Sequence, residues 1–290
     1  MWLNGPKYET NAQANAPHVE MVVGDVEDAQ EHLRRAEEIG HEPLRGEPRR
    51  LVLHDVSFSY PESDRPAVDG IDLDIPMGST VGLVGPSGAG KSTIVDILLG
   101  LISPSQGTIE VDGMPLERVL AAWRDRVGYV PQQVALFNGS VAQNVALSWE
   151  GEIDYDRVRR ALERAQLWPA IQARPGGMDS LIGDAGISLS GGQRQRLGIA
   201  RALYSEPLVL VLDEATSALD TKTEADVSRA IRELQGKVTV VSVAHRLSTV
   251  RDNDLLCYLN DGRIVAQGTF AELVDNVPDF RVQAALAGLA

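Results

Sequence analysis

The stretch Gly85-Pro86-Ser87-Gly88-Ala89-Gly90-Lys91-Ser92 restricts what this chain can fold into more than any other. It stands between a uniformly apolar run of strand length, Thr80 to Val84, and the start of a helical pattern. Glycines here let the backbone curl until successive N–H groups converge on phosphate oxygens. The helix that follows adds the positive end of its dipole. Every position fits the phosphate-loop pattern, so Lys91 is expected to reach β- and γ-phosphates and the Ser92 hydroxyl to ligate Mg2+. Thr93 belongs to the same expected nucleotide contact.

A loop of this kind needs a sheet behind it. Leu208 to Leu212, Val238 to Val243 and a run near Leu255 are buried-strand candidates alternating with helices, which implies a parallel α/β sheet. Leu51 to Tyr60 and Ile71 to Ile75 instead alternate apolar with polar residues, as half-buried antiparallel strands do. A helical middle section spans roughly 134–202, including Tyr155 to Gln166 and the run after Gly191. Thr221-Lys222-Thr223-Glu224 opens a helix with a capping-box pattern and Gly236 stops it; Thr269-Phe270-Ala271-Glu272 repeats the signal near the end.

Residues 1–46 read differently. The start is polar, then Val19, Val22, Val23, Val26, Ala29, Leu33, Ala36 and Ile39 recur as one apolar helix stripe. Gly40, Pro43, Gly46 and Pro48 break it into a linker. Such a stripe needs cover, either from the chain's own body or from a partner missing from this chain.

Charge and cysteine usage narrow the partners. Lys plus Arg is 27 against Asp plus Glu 41, giving −14, which disfavours nucleic acid. The single cysteine, Cys257, lies in an apolar run and reads as a core residue rather than half of a disulfide. No apolar stretch approaches the roughly 20 residues needed to cross a bilayer, and no secretion signal is expected at the N-terminus.

Asp213 and Glu214 follow the apolar run 208–212, and ligands of open parallel sheets bind beyond the carboxyl ends of strands. Asp213 is expected to hold hydrated Mg2+ and Glu214 to orient or deprotonate the attacking water. His245 follows another buried strand at the same edge and is expected at the γ-phosphate. Tyr60 ends an early strand, where it either stacks on adenine or belongs to the core rim.

A second anion site is legible at Leu189-Ser190-Gly191-Gly192-Gln193, with Ser190 as N-cap of the helix that runs to Tyr204. One ATP cannot easily use two helix N-termini separated by a helical section, so this one is expected to meet ATP held by another copy. With LSGGQ at 189–193, GPSGAGKS and LVLVLDEATS together, the chain resembles the ATP-binding-cassette (ABC) family over about 50–275.

That resemblance implies an α/β P-loop NTPase core with a parallel sheet, a small antiparallel β subdomain and an inserted α-helical subdomain. It implies adenine stacking by Tyr60, a Q-loop role for Gln132 at the metal and the reaction, a D-loop contact by Asp220, and a switch role for His245. It implies two ATPs sandwiched head-to-tail between two ABC ATPase domains. The ATPase domain is expected over 47–275, with 276–290 as a C-terminal tail.

The stretch 132–145 after the Q-loop, and Asp179 to Gly186 before the signature, are similar to the exporter branch. Asp184-Ala185 stands where that branch usually has Glu-Arg, and Gln133 where an acidic residue is common. The lead-in helix resembles the cytoplasmic end of a last membrane helix. The resemblance therefore implies an ATP- and Mg2+-dependent motor at the cytoplasmic face of a membrane, powering export or lipid or glycolipid flipping through a transmembrane domain absent from this chain. It leaves open a truncated exporter half, a separate motor subunit, and a non-transport ABC ATPase acting on nucleic acid or ribosomes.

Overall fold

The computed structural model describes residues 40–61, 63, 65–183, 189–215, 221–244 and 246–289. The helix expected over 19–39 lies outside these residues.

The chain enters its body through a docked strap. Gly40 N–H donates to the Glu117 carbonyl (3.2 Å), Glu42 N–H to that of Arg118 (3.0 Å), and Ala121 N–H to the Gly40 carbonyl (3.1 Å). A side chain at position 40 would meet the Glu117 carbonyl oxygen at 2.2 Å, so glycine is required there.

Two sheets and a helical section follow. In chain order the strands are β1 (Arg50–Phe58), β2 (Val68–Pro76), β3 (Thr80–Val84), β4 (Gln106–Val111), β5 (Met114–Pro115), β6 (Val127–Val130), β7 (Gly139–Ser140), β8 (Leu181–Ile182), β9 (Val209–Asp213), β10 (Thr239–Val243), β11 (Leu255–Asn260) and β12 (Arg263–Gly268). The helices are α1 (Lys91–Leu98), α2 (Leu120–Arg124), α3 (Val141–Ala146), α4 (Tyr155–Arg164), α5 (Trp168–Gln172), α6 (Gly191–Tyr204), α7 (Thr221–Arg232), α8 (Phe270–Asn276) and α9 (Pro278–Leu286).

The larger sheet runs β12-β11-β3-β10-β9-β6, parallel from β11 to β6 with β12 antiparallel at its edge. The smaller sheet, β2-β1-β4-β5, is antiparallel. β3 is buried at all five positions, as a central parallel strand flanked on both faces must be. β1 and β2 alternate more, which is the signature read from their sequence.

One apolar core joins both sheets to α1: Leu51, Ile71, Ile75, Leu83, Ile94, Ile97 and Trp123 are among its fully buried side chains. Trp123 donates its indole N–H to the Leu98 carbonyl at 2.8 Å and so ties α1 to α2. A second core holds the helical section against β9 and β10 through Val145, Leu162, Leu197, Leu210 and Val240.

Cys257 is fully buried on β11, where burial pushes its thiol up to about 12, so it is an unreactive core residue. The stretch read from sequence as a tail carries α9, whose Phe280 is fully buried edge-on to Tyr258 (6.0 Å between centroids) and Phe270 (5.3 Å).

Phe280→Ala is expected to lower stability by about 3–5 kcal/mol, read as a fall in the urea midpoint. A change under about 1 kcal/mol would mean that α9 is not part of the cooperative unit.

Candidate functional site

Strand β3 delivers the chain into the glycine loop. Gly85 has φ 146°, and a Cβ there would lie 2.2 Å from the Leu259 carbonyl oxygen. Gly90, the residue before α1, has φ 97°, and its Cβ would meet the Ala67 carbonyl at 2.5 Å. These two close approaches fix both ends of the loop. Between them Gly88 (φ 79°) has nothing within 4 Å of a built Cβ, so the middle of the loop is open.

Lys91 is buried, and its Nζ donates to the carbonyls of Gly85 (2.9 Å) and Pro86 (2.8 Å). Burial lowers its amine from the ordinary lysine value, while the nearby carboxylates of Glu214 and Asp213 oppose that shift. An ammonium has three donors, so one remains for an anion entering the loop. Ser92 is exposed at the start of α1. Thr93 is buried, with its hydroxyl 3.3 Å from the Tyr60 hydroxyl. The Tyr60 ring stands edge-on to Phe58 at 5.0 Å and is half exposed beside the loop.

Asp213 and Glu214 leave the end of β9, with β10 lying between β9 and β3. Parallel strands sit about 4.8 Å apart, so two steps set β9 about 10 Å from β3, and the charges of Asp213 and Glu214 still reach the Lys91 amine. Tyr129, on the edge strand β6, donates its hydroxyl to Asp213 Oδ2 at 3.2 Å. Burial first, then the Asp213 charge and this hydrogen bond, push the Tyr129 phenol up to about 12. Asp96 on α1 is also raised, by burial and then by Asp213. Gln132 donates Nε2–H to Glu214 Oε2 at 2.8 Å. Glu214 itself has φ 48°, and its N–H continues the ladder to the Val243 carbonyl at 3.1 Å. A left-handed glutamate held by a sheet bond is a site where local strain is maintained by the surrounding fold.

The residues present suit a magnesium nucleotide. Mg2+ takes oxygen ligands and keeps several of them from water and phosphate. The hydroxyl of Ser92, the carboxylate of Asp213 and the amide of Gln132 are a donor set of that kind, beside an open loop of backbone amides. Among the described residues no cluster of three His, Cys, Asp or Glu side chains would hold an ion alone.

The second expected anion site is built as a capped helix start. Ser190 is the N-cap of α6, its Oγ accepting from Gln193 N–H at 3.3 Å, while Gln193 Oε1 accepts from Ser190 N–H at 3.2 Å. Ser190 and Gly191 are exposed, and Gly192 is buried. The Gln193 side chain also meets Arg174, whose Nη2 donates to Gln193 Oε1 at 3.1 Å. His245, Asp220 and the Asp184-Ala185 pair lie outside the described residues, so their expected roles have no geometry here.

Sequence reasoning did not single out Tyr129, Asp96, Arg174 or Gln195. The first sits one position off the apolar face of an edge strand, a weak signal. Arg174 precedes Pro175 in a polar stretch that carries no pattern at all. Gln195 is buried in α6 and points its amide at the Pro131 carbonyl (3.4 Å), next to Gln132.

Fold and site together define a P-loop α/β domain built around a nucleoside triphosphate. A family model described as "ABC transporter" matches residues 68–217, just over half of the chain. The chain belongs to the ABC transporter family. It is 47% identical over 229 residues to an ATP-dependent lipid A-core flippase of Ralstonia nicotianae, covering 78% of this chain and 38% of that protein. A protein of the same description from Cupriavidus pinatubonensis is 45% identical over 227 residues, 77% of this chain and 38% of its own length. Among solved structures it is similar to a bacterial Atm1-family ABC exporter with ATP bound, with a TM-score of 0.75 and 34% identity over 90% of this chain and 47% of that one. The chain thus spans about two fifths of the curated relatives it matches.

Gly85→Ala forces a methyl group into the Leu259 carbonyl and is expected to strain the loop by about 1–3 kcal/mol. Titration with a fluorescent ATP analogue should then show roughly tenfold or weaker binding. Unchanged affinity would mean that the loop closes without this contact.

Proposed function

We propose that this chain is the ATP-driven motor of a membrane exporter or lipid flippase, acting at the cytoplasmic face with a second ABC ATPase domain and a transmembrane domain. The observation that carries the reading is the convergence of Lys91, Asp213, Glu214 and Gln132 at one edge of the sheet, while the capped start of α6 presents Ser190 and Gly191 to solvent. The flippase and exporter names of its relatives, and the part of their length that this chain leaves unmatched, support the membrane setting. Among the described residues no helix is long and apolar enough to cross a membrane. The ATPase domain is taken as 47–275, with α9 beyond it packed on its core through Phe280, and the lead-in 1–46 joining it to the membrane part.

Gly85, Pro86, Ser87, Gly88, Ala89 and Gly90 supply the amide cradle, and Thr93 and Tyr60 border it. Lys91 turns its remaining donor on the β- and γ-phosphates. Ser92, Asp213 and Gln132 would hold Mg2+, which neutralises charge on the phosphate oxygens when bound. Glu214 orients the water and accepts its proton, with Gln132 holding the carboxylate in place through Nε2. Ser190, Gly191, Gly192 and Gln193 of one domain close on the nucleotide held by the other, with Asp220 and His245 assigned to the same interface. Closure on ATP and reopening after hydrolysis supply the mechanical stroke.

Lys91→Ala is expected to abolish tight ATP binding, measured by equilibrium titration. Retained affinity would reject the loop assignment. Glu214→Gln should bind ATP normally, slow turnover by roughly a hundredfold or more, and accumulate as an ATP-bound dimer in size-exclusion chromatography with light scattering. Normal turnover in this variant would remove Glu214 from the reaction.

A further inference from the structure

The hydrogen-bond chemistry around Gln193 is over-determined. Its Oε1 accepts from the Ser190 backbone N–H at 3.2 Å and from Arg174 Nη2 at 3.1 Å. Both partners can only donate, so the atom between them has to be the amide oxygen. The amide nitrogen is thereby turned to the other side, and among the described residues its N–H2 group meets no acceptor within the domain. Without Arg174 a single N–H would hold the oxygen, and rotation of the amide would exchange donor for acceptor at the helix start.

Arg174 is itself held in place rather than free in solvent. It is half-buried, and its Nη1 is fully buried without a hydrogen-bond partner. A guanidinium cannot shed its charge under ordinary conditions. That charge stands behind the N-terminus of a 14-residue helix, where it reinforces the positive end of the dipole. Ser190, Gly191 and Arg174 thus add up to a face that favours anions from outside the domain.

We propose that Arg174 is a positioning residue of the composite nucleotide site: it fixes the Gln193 amide with its donors outward and adds positive charge behind α6, so that this face captures ATP held by the second domain. The inference rests on the two-domain reading above. Among the described residues Arg174 bonds Gln193 and makes no hydrogen bond or ion pair to the Lys91 loop, so binding at that loop is expected not to depend on it.

The test uses the full chain in the Glu214→Gln background with Mg2+ and ATP. The ATP concentration that drives half-maximal dimerisation is measured by light scattering, and a fluorescent ATP analogue reports the Lys91 loop in dilute monomer. Arg174→Met should raise the dimerising ATP concentration about tenfold, the scale of one charge-assisted hydrogen bond, and leave monomer affinity and melting temperature unchanged. Arg174→Lys should recover part of the loss. In a Gln193→Ala background Arg174→Met should add little, because the two act through one contact.

Dimerisation of Arg174→Met at parental ATP concentration would overturn the role of Arg174 alone. So would a loss of monomer affinity equal to the loss in dimerisation, or a full independent effect in the Gln193→Ala background. Failure of the Glu214→Gln parent itself to dimerise on ATP would overturn the two-domain reading and this inference with it.

Discussion

An ammonium group removed from water needs oxygen partners and anionic neighbours, and Lys91 is given both. Two loop carbonyls take two of its donors, and Asp213 and Glu214 supply the field that opposes its neutralisation. Much of the fold follows from meeting that demand. Placing β10 between β3 and β9 sets the span between loop and carboxylates, and parallel pairing brings the carboxyl ends of these strands to one edge. The contacts of Gly85 with Leu259 and of Gly90 with Ala67 keep the loop from relaxing away from the lysine.

The carboxylates are held differently, and the difference suits the separate roles proposed for them. Asp213 ends a regular strand and accepts from the Tyr129 hydroxyl, which burial and the Asp213 charge keep protonated well past neutrality. Glu214 sits one residue on, with a left-handed backbone and its side chain held by an exposed glutamine. Several other residues with positive φ, such as Asp55, Asp112 and Asp261, are Asp residues, a type that adopts this conformation more readily. At Glu214 the sheet itself imposes the conformation, through the bond to Val243.

Signals that act over a few residues were legible in the sequence. The glycine loop, the apolar strands, the N-cap at Ser190 and the capping box at Thr269 all depend on near neighbours, and both caps form as their residues dictate. Ser140-Val141-Ala142-Gln143 carries the same signature and opens α3, though sequence analysis did not use it. Strand β6 was not named because it is only four residues long, and β4 and β12 because they are mixed in polarity: their identity comes from the strands they pair with. The contacts of Tyr129 with Asp213 and of Arg174 with Gln193 were invisible for the same reason, since their partners lie 84 and 19 residues away.

Helix α6 joins the two halves of the site mechanically. Its first turn carries Ser190 to Gln193, and one turn on, Gln195 holds the Pro131 carbonyl. Gly198 then packs so closely that a Cβ would lie 2.5 Å from Val134 Cγ2. Arg201 closes the attachment, donating to the carbonyls of Asn144 (2.9 Å) and Ala135 (3.0 Å). The segment that bears Gln132 is thus fastened to the same rigid rod as the Ser190 face, at three successive points along it. A helix resists bending, so displacement at its N-terminus is felt at Pro131 and hence at the amide that holds Glu214. The face proposed to capture nucleotide and the segment that holds Glu214 are therefore attached to one helix, whose position in the fold constrains both.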